Sequence, residues 1–166
     1  MPAVVRRART PDVPQIKAIV DIYAGVGRRL LAKDLVTLYE DVQDFYVADL
    51  DGTVVGCGAL HVLWADLGEV RTLAVHPDHA NEGIGRQLLD AIIATARELG
   101  LSRLFALTFQ TGFFSRAGFV EIEGSPVDPE TYAALRRSPD LGVAEFLNLE
   151  YVKPNTLGNA RMLLHL

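Results

Sequence analysis

Cysteine and tryptophan each occur once in this chain, and methionine twice. A lone cysteine, Cys57, excludes an internal disulfide and any metal site built from several thiolates. Basic residues are also scarce: 16 lysines and arginines stand against 21 aspartates and glutamates, a net charge of −5. With no basic stripe to offset that acidity, no nucleic-acid partner is expected. Long hydrophobic runs are missing as well. The longest uncharged stretch, 52–65, falls short of the ~18 apolar residues a membrane-spanning helix needs. The opening MPAVVRRARTPD carries arginines but no apolar core, so no secretory signal and no membrane partner are expected. The four histidines lack metal-ligand spacing, and no metal is expected. What remains is a soluble, cytoplasmic protein of about one domain, 166 residues long and 49% hydrophobic, enough for a substantial core.

The segment GEVRTLAVHPDHANEGIGRQLL, 68–89, holds the most chemical information. It reads as a strand from Glu69 to Val75, a short loop, and a glycine-bearing turn at Gly83 and Gly85 that opens a helix. Such a turn leaves backbone N–H groups unpaired at the positive end of the helix dipole, an arrangement suited to phosphate or pyrophosphate. The strand before it carries one carboxylate, Glu69, in a mostly apolar run. Alone, the turn is equally an ordinary helix start, and Glu69 a solvated strand acid.

Around this segment the periodicity gives strands over 4–8, 45–49, 53–64, 69–75, 102–109, 119–123 and 160–166. Helices are expected over 11–23, with Thr10 or Asp12 as cap, and over 34–42, 84–99, 111–118, 129–137 and 141–147. Asp51-Gly52 marks a tight hairpin, and a turn is expected at 66–68. AGVGRR at 24–29 reads as a break and KPNTLGN at 153–159 as a loop. The helix between 69–75 and 103–109 implies a parallel pair in an otherwise antiparallel sheet, and a ligand can lie where such a pair splays.

This order of elements, with HANEGIGRQLL followed by FFSRAGF, resembles the GNAT acetyltransferase superfamily over essentially the whole chain. The implied fold is an α/β (α+β) domain. Its mostly antiparallel sheet has six or seven strands, helices on both faces and a splayed parallel pair. VGCGALHVLWADLGEVRTLAV, SRLFALTFQTGFFSRAGF and NARMLLHL look more narrowly like the acetyltransferase domain of bacterial N-acetylglutamate synthases, especially the short stand-alone kind. The longer synthases carry an amino-acid-kinase-like domain ahead of this one. Arginine inhibition through such a domain is expected to be absent here.

The resemblance implies acetyl-CoA as cosubstrate. It assigns backbone groups of Leu73, Ala74 and Val75 to the pantetheine and the thioester oxygen. Asn81, Glu82, Gly83, Ile84, Gly85 and Arg86 take the pyrophosphate, and Phe113 and Phe114 pack beside the cofactor. Glu69 stands where the synthases carry a glutamate, and is the expected general base for an incoming ammonium group. Two departures stand out. Ala80 replaces the arginine or glutamine that opens the family's turn motif, and Phe114 replaces the tyrosine many relatives use as general acid. Thr108 and Ser115 are the nearest hydroxyls for that role, unless the thiolate leaves unaided.

A dicarboxylate substrate needs cationic partners, and arginine binds a carboxylate bidentately. Lys33, Arg71, Arg161 and Arg7 are the candidates, each alternatively a solvated surface cation. Ala160 stands where relatives often have serine. The expected reaction is acetylation of the α-amino group of L-glutamate, the first step of arginine biosynthesis, by direct attack in a ternary complex. The alternatives are another small amine such as glutamine, a protein amine, or a catalytically silent acyl-CoA sensor. Exposed strand edges near the C-terminus leave a homodimer open.

Overall fold

The computed structural model describes residues 2–24, 33–152 and 158–166. The expected break at 24–29 and loop at 153–159 lie largely outside the described residues. Seven strands are hydrogen-bonded in the order β1-β2-β3-β4-β5-β7-β6. They span Val4–Arg7 (β1), Phe45–Leu50 (β2), Thr53–Trp64 (β3), Leu67–Val75 (β4), Arg103–Thr108 (β5), Val120–Ile122 (β6) and Ala160–His165 (β7). The helices are Val13–Ala24 (α1), Leu35–Glu40 (α2), Ile84–Glu98 (α3), Thr111–Arg116 (α4), Pro129–Leu135 (α5) and Leu141–Phe146 (α6). α3 is the crossover between β4 and β5, the one parallel pair of an open mixed sheet.

The chain forms two compact units, residues 1–61 with 70–99 and residues 62–69 with 100–166. In the first, strand alternation decides which helix each side chain meets. Phe45 and Val47 of β2 join α1 and α2 through Val13, Ile16, Ile19, Val20 and Leu38. Their neighbours Tyr46, Ala48 and Leu50 face the other way, against Ile84 and Leu88 of α3. Asp51 and Gly52 both take positive φ (51° and 91°), as the tight hairpin between β2 and β3 requires. Gly56 and Gly58 on β3 leave room for α3. A methyl at Gly58 would lie 2.8 Å from Leu73 Cδ1 and 3.1 Å from Ile92 Cδ1.

In the second unit β5 pairs with β7 and β7 with β6, both antiparallel, placing Leu107 and Ile122 opposite Arg161 and Phe105 opposite Leu163. One face of these strands carries Phe105, Leu107 and Leu163, packed with Leu67 of β4 and with Leu135, Val143, Phe146 and Leu147 of α5 and α6. The Phe105 and Phe146 rings meet edge to face at 4.8 Å.

Several expectations need correction. The turn at 66–68 lies at Ala65–Asp66 instead, because the Asp66 carbonyl accepts the Ser102 and Arg103 amides and β4 already begins at Leu67. The helix expected from residue 11 starts as a 3-10 turn over Thr10–Asp12 and becomes α only at Val13. Asp12 faces backwards: its carboxylate takes the Arg9 amide at 2.7 Å and a two-pronged contact from Arg6 at 2.9 Å. Leu99 follows the apolar spacing of α3 but is 58% exposed. Gly100 turns the chain away just after it with φ 89°.

Candidate functional site

In the first unit the candidate residues run along β4 into α3. Thr72 has φ 56°, a left-handed conformation that a β-branched residue adopts only against a steric penalty. A left-handed residue within a strand breaks the regular pleat and re-aims the backbone groups that follow. Its carbonyl accepts a hydrogen bond from the Cys57 thiol at 3.4 Å. Leu73 and Val75 are half-buried and Ala74 is buried. The Tyr23 hydroxyl donates to the Val75 carbonyl, and the His76 amide to the Val55 carbonyl at 2.8 Å.

The loop over Pro77–His79 is a 3-10 turn, followed by two left-handed residues, Asn81 (φ 62°) and Gly83 (φ 81°). Gly83 is the N-cap of α3, and nothing lies within 4 Å of where its Cβ would be. Gly83, Ile84, Gly85 and Arg86 therefore supply the helix's four N-terminal amides, which have no partner within the helix. Asn81, Glu82, Gly83 and Arg86 are exposed, Gly85 is half-buried, and Ile84 anchors the turn into the core. Arg86 pairs with Asp90 at 2.9 Å, and the His79 ring lies 3.2 Å from the Glu82 carboxylate. The attraction this turn offers an anion is thus mainly that of its backbone and helix dipole.

Lys33 is half-buried just before α2, and Arg71 is half-buried on β4. Arg7 is exposed, donates to the Gln43 carbonyl at 3.2 Å, and sits over the Tyr46 ring at 5.1 Å.

In the second unit Glu69 is only 5% exposed, on β4 beside the fully buried Leu67. Carboxylates are rarely buried to this degree without a structural or chemical reason. Thr108, at the end of β5, is buried, and its hydroxyl oxygen accepts the Gln110 amide at 2.8 Å. Ser115 is exposed on α4. Phe114 is buried, held edge to face by Phe113 at 5.2 Å and Phe119 at 5.0 Å, while Phe113 is half-buried.

Arg161 behaves unlike a surface cation. Its guanidinium stacks over the Phe105 ring at 4.9 Å. It donates to the carbonyls of Gly124 (2.8 Å), Glu145 (3.2 Å) and Phe146, and to Ser125 Oγ (3.3 Å). Burial pushes this guanidinium down from its ordinary pKa, opposed by the charges of Glu69 and Tyr132. Neither the clasp nor the left-handed Thr72 was expected from the sequence. Arg161 sits in phase with the buried Leu163 on a strand whose other polar residue, His165, lies at its exposed end, and that alternation was the available signal.

The acetyltransferase (GNAT) family profile matches residues 19–119. The chain belongs to this family. An amino-acid acetyltransferase of Mycobacterium tuberculosis is 62% identical over 164 residues, covering 97% of this chain and 93% of that protein. A crystal structure of an M. tuberculosis protein in complex with CoA and NLQ superposes with a TM-score of 0.95 at 61% identity, covering 98% of this chain and 99% of that one. An N-acetylglutamate synthase from Neisseria gonorrhoeae, complexed with coenzyme A and N-acetyl-glutamate, gives a TM-score of 0.78 at 29% identity. That match covers 99% of this chain but 35% of the synthase. Within the GNAT family, the relatives therefore point to acetyl transfer onto an amino acid. No helix among the described residues is long and apolar enough to cross a membrane, and no group of three or more candidate metal ligands is present among them.

Proposed function

We propose that this GNAT protein transfers the acetyl group of acetyl-CoA to the α-amino group of L-glutamate, giving N-acetyl-L-glutamate for arginine biosynthesis. The observation that carries the reading is a carboxylate, Glu69, kept 5% exposed on the strand that also bears the left-handed Thr72. The similarity to an amino-acid acetyltransferase and to an N-acetylglutamate synthase supports the substrate class.

The amino acid arrives as an ammonium ion. Glu69 takes one proton, directly or through water, and the freed nitrogen attacks the thioester carbon. The C–O double bond becomes an oxyanion, stabilised by a strand amide. The amide of Leu73 or Ala74, just after the left-handed Thr72, is that donor. Collapse of the intermediate reforms the carbonyl, breaks the C–S bond and expels CoA as thiolate, while the nitrogen gives up its second proton, which reprotonates the thiolate directly or through a neighbouring hydroxyl. Thr108, already oriented by the Gln110 amide, is a better proton source than the exposed Ser115. Thiols are acidic enough to leave near neutral pH, so the acid contributes modestly.

The amides at Gly83, Ile84, Gly85 and Arg86 hold the pyrophosphate, with Asn81 and Glu82 shaping the turn. Leu73 and Val75 meet the pantetheine, and Phe113 covers the cofactor. Ala80 removes a side chain from this turn and leaves its backbone cradle intact. Lys33 and Arg71, both half-buried, bind the two substrate carboxylates. The test is Glu69→Gln with acetyl-CoA and L-glutamate. Turnover should fall by about tenfold or more with acetyl-CoA affinity unchanged. Wild-type turnover in this variant removes Glu69 from the mechanism.

A further inference from the structure

Tyr23 is the one aromatic residue of α1 and lies on the buried face of that helix, three residues after Val20 and seven after Ile16. Its ring is half-buried and packs against the core cluster that holds Cys57 of β3 and Ala74 of β4. Its hydroxyl donates to the Val75 carbonyl, 52 residues away in sequence. A tyrosine placed this way needs some partner for its hydroxyl. The partner here is a main-chain carbonyl at the end of β4, just before the turn that leads to α3.

The direction of that carbonyl follows from one peptide plane. No peptide bond among the described residues is cis, so the C=O of Val75 and the N–H of His76 point to opposite sides. The His76 amide donates to the Val55 carbonyl of β3 at 2.8 Å. The Val75 carbonyl therefore points to the edge of β4 away from β3, and Tyr23 reaches it there. Three residues earlier, the Thr72 carbonyl takes the Cys57 thiol of β3 at 3.4 Å. The stretch from 72 to 76 is thus tied to β3 at both ends and to α1 at one carbonyl.

A strand edge that turns peptide groups outward suits an extended chain with amides of its own. The pantetheine arm of acetyl-CoA is such a chain, with two secondary amides that each offer an N–H and a C=O. A carbonyl oxygen accepts two hydrogen bonds, so a hydroxyl and a pantetheine N–H can share it. Resting on the reading of Leu73 and Val75 as partners of the pantetheine, we infer that Tyr23 is a positioning residue for the cofactor. Its hydroxyl fixes the Val75–His76 peptide plane, so that the carbonyl presents its second acceptor position to the arm. Without the hydroxyl the ring still packs, but the arm must order the carbonyl as it binds and loses affinity by that cost. The amides at the start of α3 do not depend on this contact, and Thr72 keeps its own tie to Cys57. The effect therefore belongs to the arm and not to the nucleotide.

The test measures, by titration calorimetry, the dissociation constants of acetyl-CoA and of phosphoadenosine diphosphate, the nucleotide half of CoA without the arm. Wild type, Tyr23→Phe and Gly58→Ala are compared, each with its melting temperature. Tyr23→Phe keeps the ring and removes only the hydroxyl. It should weaken acetyl-CoA about fivefold, the worth of one hydrogen bond, and leave the nucleotide unchanged. A hydroxyl that serves stability alone would lower the melting temperature and move neither constant, which overturns the inference. Equal weakening of both ligands overturns it as well. Tighter acetyl-CoA binding does the same, because the hydroxyl would then compete with the arm. Gly58→Ala, whose methyl presses on Leu73, separates the two claims. If it weakens acetyl-CoA while Tyr23→Phe does not, only the Tyr23 inference fails. If neither variant weakens it, the pantetheine reading of Leu73 and Val75 fails too.

Discussion

The Cys57 thiol donates to the carbonyl of Thr72 at 3.4 Å, tying the core of β3 to the left-handed residue of β4. Burial raises the thiol pKa to about 12, against a small opposing effect of the Ala74 amide, so the sulfur stays protonated and able to donate. Cys57 is fully buried, and a neutral buried thiol is a poor nucleophile. The native protein is therefore expected to leave an aromatic disulfide reagent unreacted over minutes, and to release one equivalent after denaturation. Rapid native labelling would contradict the packing. Cys57→Ala should cost about 1–2 kcal/mol through lost packing and the lost tether, read by urea unfolding.

Gly58 offers a second handle on the same strand. An alanine methyl there would stand 2.8 Å from Leu73 Cδ1, closer than real contacts allow, so Leu73 must move. Overpacking of this kind costs about 1–3 kcal/mol. Because Leu73 is assigned to the pantetheine and thioester, Gly58→Ala should raise KM for acetyl-CoA several-fold while L-glutamate KM changes little. Equal effects on both would point to general destabilisation instead.

Asp12 and Arg6 supply a prediction about acid stability. Asp12 is 4% exposed, and its two-pronged bond from Arg6, with the Arg9 amide, holds its carboxyl below the usual carboxylate range. A carboxylate depressed in the folded state stabilises above its unfolded pKa and loses that contribution as pH falls through the folded value. The window thus opens near the ordinary value of 3.8 and extends below it. Asp12→Ala leaves Arg6 half-buried beside Asp49 alone and should cost on the order of 3 kcal/mol at neutral pH. Below pH 4 the gap between variant and wild type should narrow. A gap unchanged down to pH 3 would show that the pair is not the cause.

The two hydroxyl candidates separate by substitution. Thr108→Val removes both a proton source and the acceptor of the Gln110 amide, so kcat should fall by several-fold and stability with it. Thr108→Ser should restore both. Ser115→Ala, at an exposed position, should leave kcat within about twofold. A larger loss at Ser115 than at Thr108 would reverse the assignment.

Regular elements were the most legible part of the sequence. β3 runs over Thr53–Trp64 as expected because Asp51-Gly52 imposes its start, and α3 ends at Glu98, one residue before the expected 99, because Gly100 stops it. The turn that opens α3 was legible through Gly83, whose positive φ only glycine adopts cheaply. Thr72 was hidden because nothing local favours a left-handed threonine; the tether from Cys57, fifteen residues away in sequence, supports it. The contacts of Arg161 were hidden because its acceptors lie 15 to 37 residues distant. Such contacts leave no trace in spacing. The four 3-10 turns among the described residues were likewise missed, since each is three residues long and carries no periodicity.

The most direct test of the central claim is the rate of CoA thiol release from acetyl-CoA with L-glutamate, in parallel with L-glutamine, the other amino acids and a lysine peptide. The buried Cys57 will not confound a thiol reagent in the native protein. The account predicts the highest kcat/KM for L-glutamate and its loss in Glu69→Gln. A clear preference for a different amine, or equal rates for wild type and Glu69→Gln, would contradict it.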